Sequence, residues 1–220
     1  MCRAIFVGTD EHDPDRLMYA TLRACVRAGL HLYCGRIQVD VTTAIAAGSP
    51  VLLASNHPNS FFDALVVATH LPQHMRFLAR GDAFRDPRAA RVLRALFMIP
   101  VYRMSEGRAE LRRTEESFGQ AQADLEKGGS VLVFSEGLSM NAPGLRHLGK
   151  GTARIAARAW NGAASEVLVV PTWLRYGTFR GPFKEVRIST VAPMASSMFD
   201  QLSEAVFLGS FKDLLHERLI

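Results

Sequence analysis

Short apolar stretches alternate with longer segments of mixed polarity along most of the chain. The apolar stretches predict buried strands, and the wider spacing of apolar residues between them predicts helices. The predicted strands are residues 36–41, 51–55, 75–79, 98–102, 130–134, 167–171 and 186–191, and the predicted helices are residues 16–33, 61–70, 87–97, 108–127, 150–160 and 199–219. Strands that alternate with helices are typical of an α/β fold. We therefore expect a single domain with a mostly parallel central sheet flanked by helices.

The first predicted helix, residues 16–33, follows a lead-in with little pattern and has a distinct charged side. Arg16, Arg23 and Arg27 fall close to one line on a helical wheel. A wide apolar face elsewhere on the helix comprises Leu22, Val26, Leu30 and Tyr33. An amphipathic helix of this kind can lie in a membrane interface, but a helix that packs against a domain shows the same pattern. Both interpretations stay open at the level of the sequence.

Composition and charge narrow the classes of partner. A length of 220 residues suits one domain, and a net charge of +5 is compatible with an anionic partner. Nucleic acid, a lipid headgroup and a phosphorylated substrate would all fit, but no nucleic-acid-binding motif is present, so no nucleic-acid partner is expected. The three cysteines lack paired spacing, which argues against a disulfide framework or a zinc site. We expect no metal ligands.

The sequence lacks the apolar segments that insertion into a membrane requires. No stretch of eighteen or more residues is apolar enough to span a bilayer. The first fifteen residues also lack the apolar core of a signal peptide. Any attachment to a membrane is therefore expected to be peripheral.

A polar cluster interrupts the chain directly after the predicted strand 51–55. His57 lies in this cluster, and Asp63 follows in the first turn of the next predicted helix. A histidine whose other ring nitrogen contacts a carboxylate can remove a proton from a hydroxyl group. The alternative is purely structural, because Ser60 and Asp63 have the spacing of a helix capping box.

Three further motifs change this balance. They are residues 99–103 (Ile-Pro-Val-Tyr-Arg), 134–137 (Phe-Ser-Glu-Gly) and 169–171 (Val-Val-Pro), and they follow a first motif at residues 55–63. In this order and spacing they resemble the glycerolipid acyltransferase family of the lysophosphatidic acid acyltransferase type, across roughly residues 36–191. The chain departs from the family pattern in three ways: five residues rather than four separate His57 from Asp63, Ser135 replaces a proline, and Leu138 replaces a threonine.

The resemblance implies transfer of a fatty acyl group from acyl-CoA or acyl carrier protein to the hydroxyl group of a lysophospholipid or glycerol-phosphate acceptor. The expected acceptor is 1-acylglycerol-3-phosphate, in phospholipid biosynthesis. His57 would act as the general base and Asp63 would orient it. No cofactor is implied beyond the thioester co-substrate. Direct transfer agrees with residues 137–141, which do not form the Gly-x-Ser-x-Gly elbow of hydrolases.

The resemblance also implies a substrate-binding set, which comprises Asn56, Arg103, Glu136, Gly137 and Lys150. Arg103 suits a phosphate because its planar guanidinium group can donate two hydrogen bonds. Glu136 is expected to position a hydroxyl group or an arginine. Lys150 begins a predicted helix and could add positive charge for an anion, although a lysine exposed to solvent explains it equally well.

The expected organisation is a lead-in and amphipathic helix over residues 1–35 and an acyltransferase domain with a C-terminal helix over residues 36–220. The expected location is peripheral, at the cytoplasmic face of a membrane. Residues 175–184, predicted as a loop after a strand, mix basic and aromatic side chains that could meet headgroups. Two alternatives remain: a non-catalytic relative that binds lipid or acyl carrier protein, and, with less support, a lipid hydrolase.

Overall fold

The computed structural model describes residues 14–46, 49–102, 108–139 and 144–220. The helices are α1 (Pro14–Tyr33), α2 (Thr43–Ala46), α3 (Phe61–His70), α4 (Pro87–Ala95), α5 (Arg108–Glu126), α6 (Gly151–Asn161) and α7 (Glu204–Arg218). The strands are β1 (Cys34–Asp40), β2 (Val51–Ser55), β3 (Met75–Arg80), β4 (Met98–Val101), β5 (Ser130–Phe134), β6 (Leu168–Tyr176) and β7 (Lys184–Thr190). The described residues also include the short 3-10 helices Gly81–Phe84 and Ser196–Phe199.

The strands form one sheet in the order β1-β7-β6-β2-β5-β3-β4. The five strands from β6 to β4 are parallel, whereas β7 is antiparallel to β6 and β1 is parallel to β7. The predicted α/β fold with a mostly parallel sheet and an N-terminal helix is confirmed. From β2 the chain passes through α3 to β3, which lies towards the β4 end of the strand order. From β5 it passes through α6 to β6, which lies towards the β1 end. The carboxyl ends of β2 and β5 therefore border a switch point, where ligands of such sheets bind.

Helices cover both faces of the sheet. Helices α5, α6 and α7 pack on one face, and α1, α3 and α4 pack on the other. Strand β2 supplies both cores: Leu52 and Ala54 belong to the first, and Val51 and Leu53 to the second. This alternation follows from the two-residue period of a strand, and burial on both faces explains why β2 reads as a continuous apolar run.

Most predicted boundaries lie within two residues of the observed ones, but two differ by five residues. Strand β6 continues five residues past the predicted end at Pro171, because residues 172–176 pair with β7. Residues 175 and 176 are thus part of a strand rather than of the predicted loop. The last helix begins at Glu204 instead of residue 199, because Gln201 has a φ of 65°, a left-handed conformation that does not continue a right-handed helix.

Helix α1 packs against the domain along most of its length. Tyr19 and Leu30 are buried, and Val26 packs against the same core as α3. Leu22 remains 39% exposed and Leu32 remains 82% exposed. The helix therefore contributes to the core of the domain and still presents apolar side chains to solvent. Within the ranges described above, no helix is both long and apolar enough to cross a membrane.

Candidate active site

The His57 loop, residues 56–60, connects the carboxyl end of β2 to the start of α3. The buried side chain of Asn56 fixes its first residue, because its amide nitrogen donates to the Leu174 carbonyl at 3.0 Å and its oxygen accepts the Leu174 N–H at 2.8 Å. Both polar atoms of this amide thus form hydrogen bonds with β6. Asn56 holds the loop in place, which differs from the substrate contact predicted for it.

The structure brings His57 and Asp63 together. The Nδ1 atom of His57 lies 2.9 Å from Oδ2 of Asp63, so the five-residue interval does not separate the pair. The Asp63 side chain is fully buried, and it also accepts the Asn59 N–H at 2.8 Å. Because a carboxylate only accepts hydrogen bonds, the Nδ1 atom donates in this contact and Nε2 is left as the basic nitrogen.

The predicted capping box does not form. The Ser60 side chain makes no capping hydrogen bond, and the residue adopts a φ of 51°. Its N–H donates instead to the Ser139 hydroxyl group. Asp63 accepts the N–H of Asn59, one residue earlier than a capping box requires. Asp63 therefore ties the His57 loop to the helix and contacts His57 with the same carboxylate.

Residues of the motif 134–137 hold His57 from its other sides. The ring of Phe134 stacks on the imidazole, with 3.8 Å between the ring centroids and 13° between the planes. The Oε1 atom of Glu136 accepts the His57 N–H at 3.0 Å. Burial raises the pKa of Glu136, and this hydrogen bond together with the charges of His57 and Arg146 opposes that rise. Glu136 thus positions His57 directly, a role that the sequence did not predict.

Tyr176 completes the surroundings of Asp63. Its hydroxyl group donates to Oδ1 of Asp63 at 2.5 Å. Burial, reinforced by the charge of Asp63, raises the pKa of Tyr176 far above its usual range, so the phenol keeps its proton and remains a donor. From the sequence, Tyr176 was predicted to lie in a loop that could meet headgroups. The signal that was missed is the two-residue alternation of Thr172, Leu174 and Tyr176, which continues β6.

Lys184 was also predicted to lie in that loop, but it belongs to a strand. It begins β7, is 3% exposed and donates to the Phe179 carbonyl at 2.9 Å. Its ammonium group lies over the rings of Tyr33 and Phe62. A buried lysine with these contacts is part of the packing behind Tyr176, so the headgroup contact predicted for it is not supported.

The other predicted substrate residues lie around the same strand ends. Gly137 is exposed, has a φ of 65° and donates its N–H to the Phe134 carbonyl at 3.0 Å in the turn after β5. Lys150 is exposed at the start of α6 and its side chain makes no capping hydrogen bond. Arg103 lies outside the described residues.

Ser135, which stands where the family has proline, takes part in two contacts. Its N–H donates to the Ser55 carbonyl at 2.8 Å, which adds one hydrogen bond between the ends of β2 and β5. A proline has no N–H and could not make this bond. The Ser135 hydroxyl group lies 2.9 Å from that of Thr152 on α6.

A cavity of about 410 Å³ opens beside His57. Its wall is largely apolar, and it includes Phe61 and Ala64 of α3 together with Phe77 and Met98 of β3 and β4. Gly149, Gly151 and Thr152 border it at the start of α6. No group of three or more potential metal ligands occurs in the described ranges. The site thus combines a hydrogen-bonded histidine–aspartate pair with an apolar chamber.

Comparison with known proteins identifies the family. Residues 36–175, more than half of the chain, match the family described as Acyltransferase. The chain belongs to the acyltransferase family. The crystal structure of PlsC, the 1-acyl-sn-glycerophosphate (LPA) acyltransferase from Thermotoga maritima, is similar, with a TM-score of 0.65 and 14% sequence identity over 96% of this chain and 83% of that chain. No curated protein matches the sequence.

The family match confirms the resemblance at the level of the acyltransferase family, and PlsC, a 1-acyl-sn-glycerophosphate acyltransferase, shares the fold. In this acyltransferase, motifs that lie far apart in the sequence meet at the carboxyl ends of β2 and β5. The His57 loop comes from the first motif, and Phe134 and Glu136 come from a later one.

The Tyr176–Asp63 hydrogen bond can be tested by Tyr176→Phe. Because this bond satisfies a buried carboxylate, we expect the free energy of unfolding to fall by about 1.5–3 kcal/mol. Urea denaturation measures this loss. The matched control is Tyr33→Phe, which removes the hydroxyl group of a tyrosine that is 40% exposed and should change stability by less than about 0.5 kcal/mol. Equal effects of the two substitutions would contradict the proposed bond.

The raised pKa of Glu136 predicts a dependence of stability on pH. The folded protein binds the carboxyl proton of Glu136 more tightly than the unfolded chain does, because the glutamate of the unfolded chain has a pKa near 4.5. The contribution to stability is complete below that value and is lost as the pH rises through the higher pKa of the folded state. As the pH rises from about 4 to about 7, the free energy of unfolding of wild type should therefore fall relative to that of Glu136→Gln. Denaturation of both proteins at several pH values checks this, and a constant difference would contradict it.

Proposed function

We propose that this acyltransferase moves a fatty acyl group from an acyl thioester to the hydroxyl group of a lysophospholipid or glycerol-phosphate acceptor. The observation that carries the proposal is the His57–Asp63 contact at the wall of an apolar cavity in a member of this family. The expected acceptor is 1-acylglycerol-3-phosphate, the acceptor type named for PlsC of Thermotoga maritima. Acyl-CoA and acyl carrier protein are the donors to compare.

In the proposed mechanism, Nε2 of His57 removes the proton of the acceptor hydroxyl group as its oxygen attacks the thioester carbonyl. A C–O bond forms, and the tetrahedral intermediate collapses with cleavage of the C–S bond. The departing thiolate then takes the proton from His57, so that the enzyme returns to its starting state. Asp63 stabilises the imidazolium while it exists, because its carboxylate faces the Nδ1–H group at 2.9 Å.

Space for the acyl chain comes from two adjoining cavities. The cavity beside His57 shares Phe61, Ala64, Phe77 and Met98 with a second cavity of about 290 Å³, which we call the apolar groove. The groove lies between α1 and α3, and its wall is almost entirely apolar. An alkyl chain that leaves the thioester carbonyl at His57 can be buried there, and burial of each methylene group contributes about 0.8 kcal/mol.

The acceptor phosphate requires cations near His57. Lys150 is exposed between Gly149 and Gly151, both of which border the cavity. We propose that Lys150 and Arg103 bind this phosphate, with the Glu136–Gly137 turn beside it. Glu136 contributes indirectly, since its carboxylate holds the His57 main chain.

Substitution of the pair tests the mechanism. We expect His57→Ala and Asp63→Asn each to lower kcat by about 10²–10⁴-fold, the usual contribution of a positioned acid or base. The matched control is His216→Ala, which removes an exposed histidine of α7, a helix that contributes no residue to the cavity beside His57. The assay offers acyl-CoA or acyl carrier protein with a panel of lysolipid and glycerol-phosphate acceptors, and mass spectrometry identifies the products.

The same assay separates the alternatives. Free fatty acid that accumulates without an acceptor indicates a hydrolase. Thioester or lysolipid binding without product from any donor–acceptor pair indicates a non-catalytic relative. Transfer at the wild-type rate in both His57→Ala and Asp63→Asn would refute the mechanism.

We further propose peripheral attachment to the cytoplasmic face of a membrane. Support comes from Leu22 and Phe61, which line the apolar groove and are 39% and 51% exposed, and from the exposed Leu32 on the same helix as Leu22. Exposed apolar side chains beside an apolar groove would let a lipid chain pass between bilayer and protein without crossing water.

The double substitution Leu22→Ser and Leu32→Ser tests this attachment. We expect at least about a tenfold weaker affinity for vesicles of phosphatidylcholine and phosphatidylglycerol, equivalent to about 1.4 kcal/mol, measured by co-sedimentation. The matched control, Val206→Ser with Ile220→Ser, also removes two exposed apolar side chains. Point substitutions are preferable to deletion of α1, since that helix contributes to the core. Equal binding by both double variants would contradict α1 as the site of attachment.

A further inference from the structure

A cavity of about 840 Å³ lies at the edge of the sheet opposite His57, and we call it the amino-edge cavity. Gln73 and His74, which precede β3, line it, as do residues 128–130 at the start of β5. The amino ends of parallel strands share one edge of a sheet and the carboxyl ends share the other. This cavity is therefore separate from the site described above, and acyl transfer at His57 leaves it without a role.

Cations dominate the wall of the amino-edge cavity. Arg23 and Arg27 come from α1, Arg76 from β3, and Lys127 follows α5. The one carboxylate of the wall, Asp124, pairs with Arg76 through a contact of 2.7 Å between Oδ2 and Nε. In the part of the chain that the structure describes, no carboxylate forms an ion pair with the three remaining cations. A concave surface with this excess of positive charge attracts an anion.

Two buried polar atoms belong to residues of this wall. The hydroxyl group of Tyr19 and the Oε1 atom of Gln73 make no hydrogen bond among the described residues. Tyr19 is 8% exposed and Gln73 is 5% exposed, and the Gln73 amide nitrogen is already bound to the Ile45 carbonyl at 2.7 Å. Buried polar groups normally have partners. The wall thus offers one unused hydroxyl group and one unused acceptor beside its cations.

Aromatic contacts give the cavity a fixed floor. Tyr19, His74 and Phe97 pack against one another, with ring centroids 4.2 Å, 5.2 Å and 4.4 Å apart for the three pairs. The guanidinium group of Arg76 lies 5.8 Å from the Phe97 ring centroid. These contacts, with the Arg76–Asp124 pair, hold one cation in place. A ligand would therefore meet a surface whose charge is already oriented.

The amino-edge cavity also adjoins the apolar groove, since Tyr19 and Arg23 line both. A molecule with a phosphate among these cations could place an alkyl chain in the groove. Arginine donates two parallel hydrogen bonds to phosphate oxygens, and a hydroxyl group on the ligand would suit the unused acceptor of Gln73.

We propose that the amino-edge cavity is a second ligand site, which binds a phosphate monoester. Two sources share this chemistry: the headgroup of a single-chain lipid, whose chain would enter the groove, and a soluble phosphate ester. The lipid source rests on the proposed function, because it assigns the groove to alkyl chains. The phosphate site itself does not depend on it.

Calorimetric titration of the full chain with three probes tests the site. Dodecyl phosphate below its micelle concentration represents the lipid headgroup, glycerol 3-phosphate the soluble ester, and dodecyl maltoside an uncharged chain. We expect at least one phosphate probe to bind wild type, and the double variant Arg27→Gln with Lys127→Gln to bind it at least about tenfold more weakly. Both residues are exposed, so the variant should fold. The control, Arg91→Gln with Arg154→Gln, removes the same charge from exposed positions elsewhere.

Tighter binding of dodecyl phosphate than of glycerol 3-phosphate supports the lipid source, and equal binding supports the soluble one. Tyr19→Phe should weaken the binding of the phosphate probe. It should leave the stability of the free protein unchanged, because the hydroxyl group has no hydrogen-bond partner among the described residues. The proposal is overturned if neither phosphate probe binds, if dodecyl maltoside binds as tightly as dodecyl phosphate, or if the control variant loses as much affinity as Arg27→Gln with Lys127→Gln.

His57→Ala keeps this result distinct from that of the proposed reaction. The variant should bind the phosphate probe as wild type does, because His57 lies at the other edge of the sheet. Binding that disappears in His57→Ala would assign the probe to the acceptor site and overturn the second one. Phosphate binding in a protein without acyl transfer would leave the second site intact and refute only the proposed function.

Discussion

The buried carboxylate of Asp63 is the constraint on which the rest of the site depends. A charge without solvent contact requires hydrogen bonds, and Asp63 receives them from His57, Asn59 and Tyr176. These donors come from a loop after one strand and from the far end of another. Strand β6 has to extend to Tyr176 to supply the last donor, and its pairing with β7 makes that extension possible. One carboxylate thus links the local loop to the topology of the sheet.

The two edges of the sheet offer different chemistry because different side chains follow and precede the strands. At the carboxyl edge, His57 faces an apolar chamber, whereas the amino edge gathers arginine and lysine around an open cavity. Helix α1 spans both edges: Tyr19 borders the amino-edge cavity, and Tyr33, at its last residue, lies near Phe62 and Lys184 behind the site. Arg23 and Arg27, which belong to the charged side of the predicted amphipathic helix, line this cavity.

Local patterns were enough to predict the strands that surround the site and the proximity of His57 to Asp63. Strand β2 and helix α3 were predicted to the residue, since an apolar run ends in a polar cluster and another begins after it. The roles of Asn56 and Tyr176 could not be predicted in this way. Both depend on β6 lying beside β2, a contact across more than a hundred residues that no local period encodes. Pro171 also concealed the continuation of β6, because proline usually ends a strand.

Every group that holds His57 belongs to the protein itself: the carboxylate of Asp63 at one ring nitrogen, Phe134 on the ring face and Glu136 at the main-chain N–H. The side-chain amide of Asn56 bonds to the main chain of Leu174, and the Ser135 N–H donates to the Ser55 carbonyl, so the ends of the supporting strands are fixed. The orientation of the imidazole is therefore fixed by contacts within the protein, which is what the proposed role of His57 as a base requires. In such a preorganised site, dipoles need little reorientation as charge develops. The free-energy cost of orienting them falls on folding and not on the reaction.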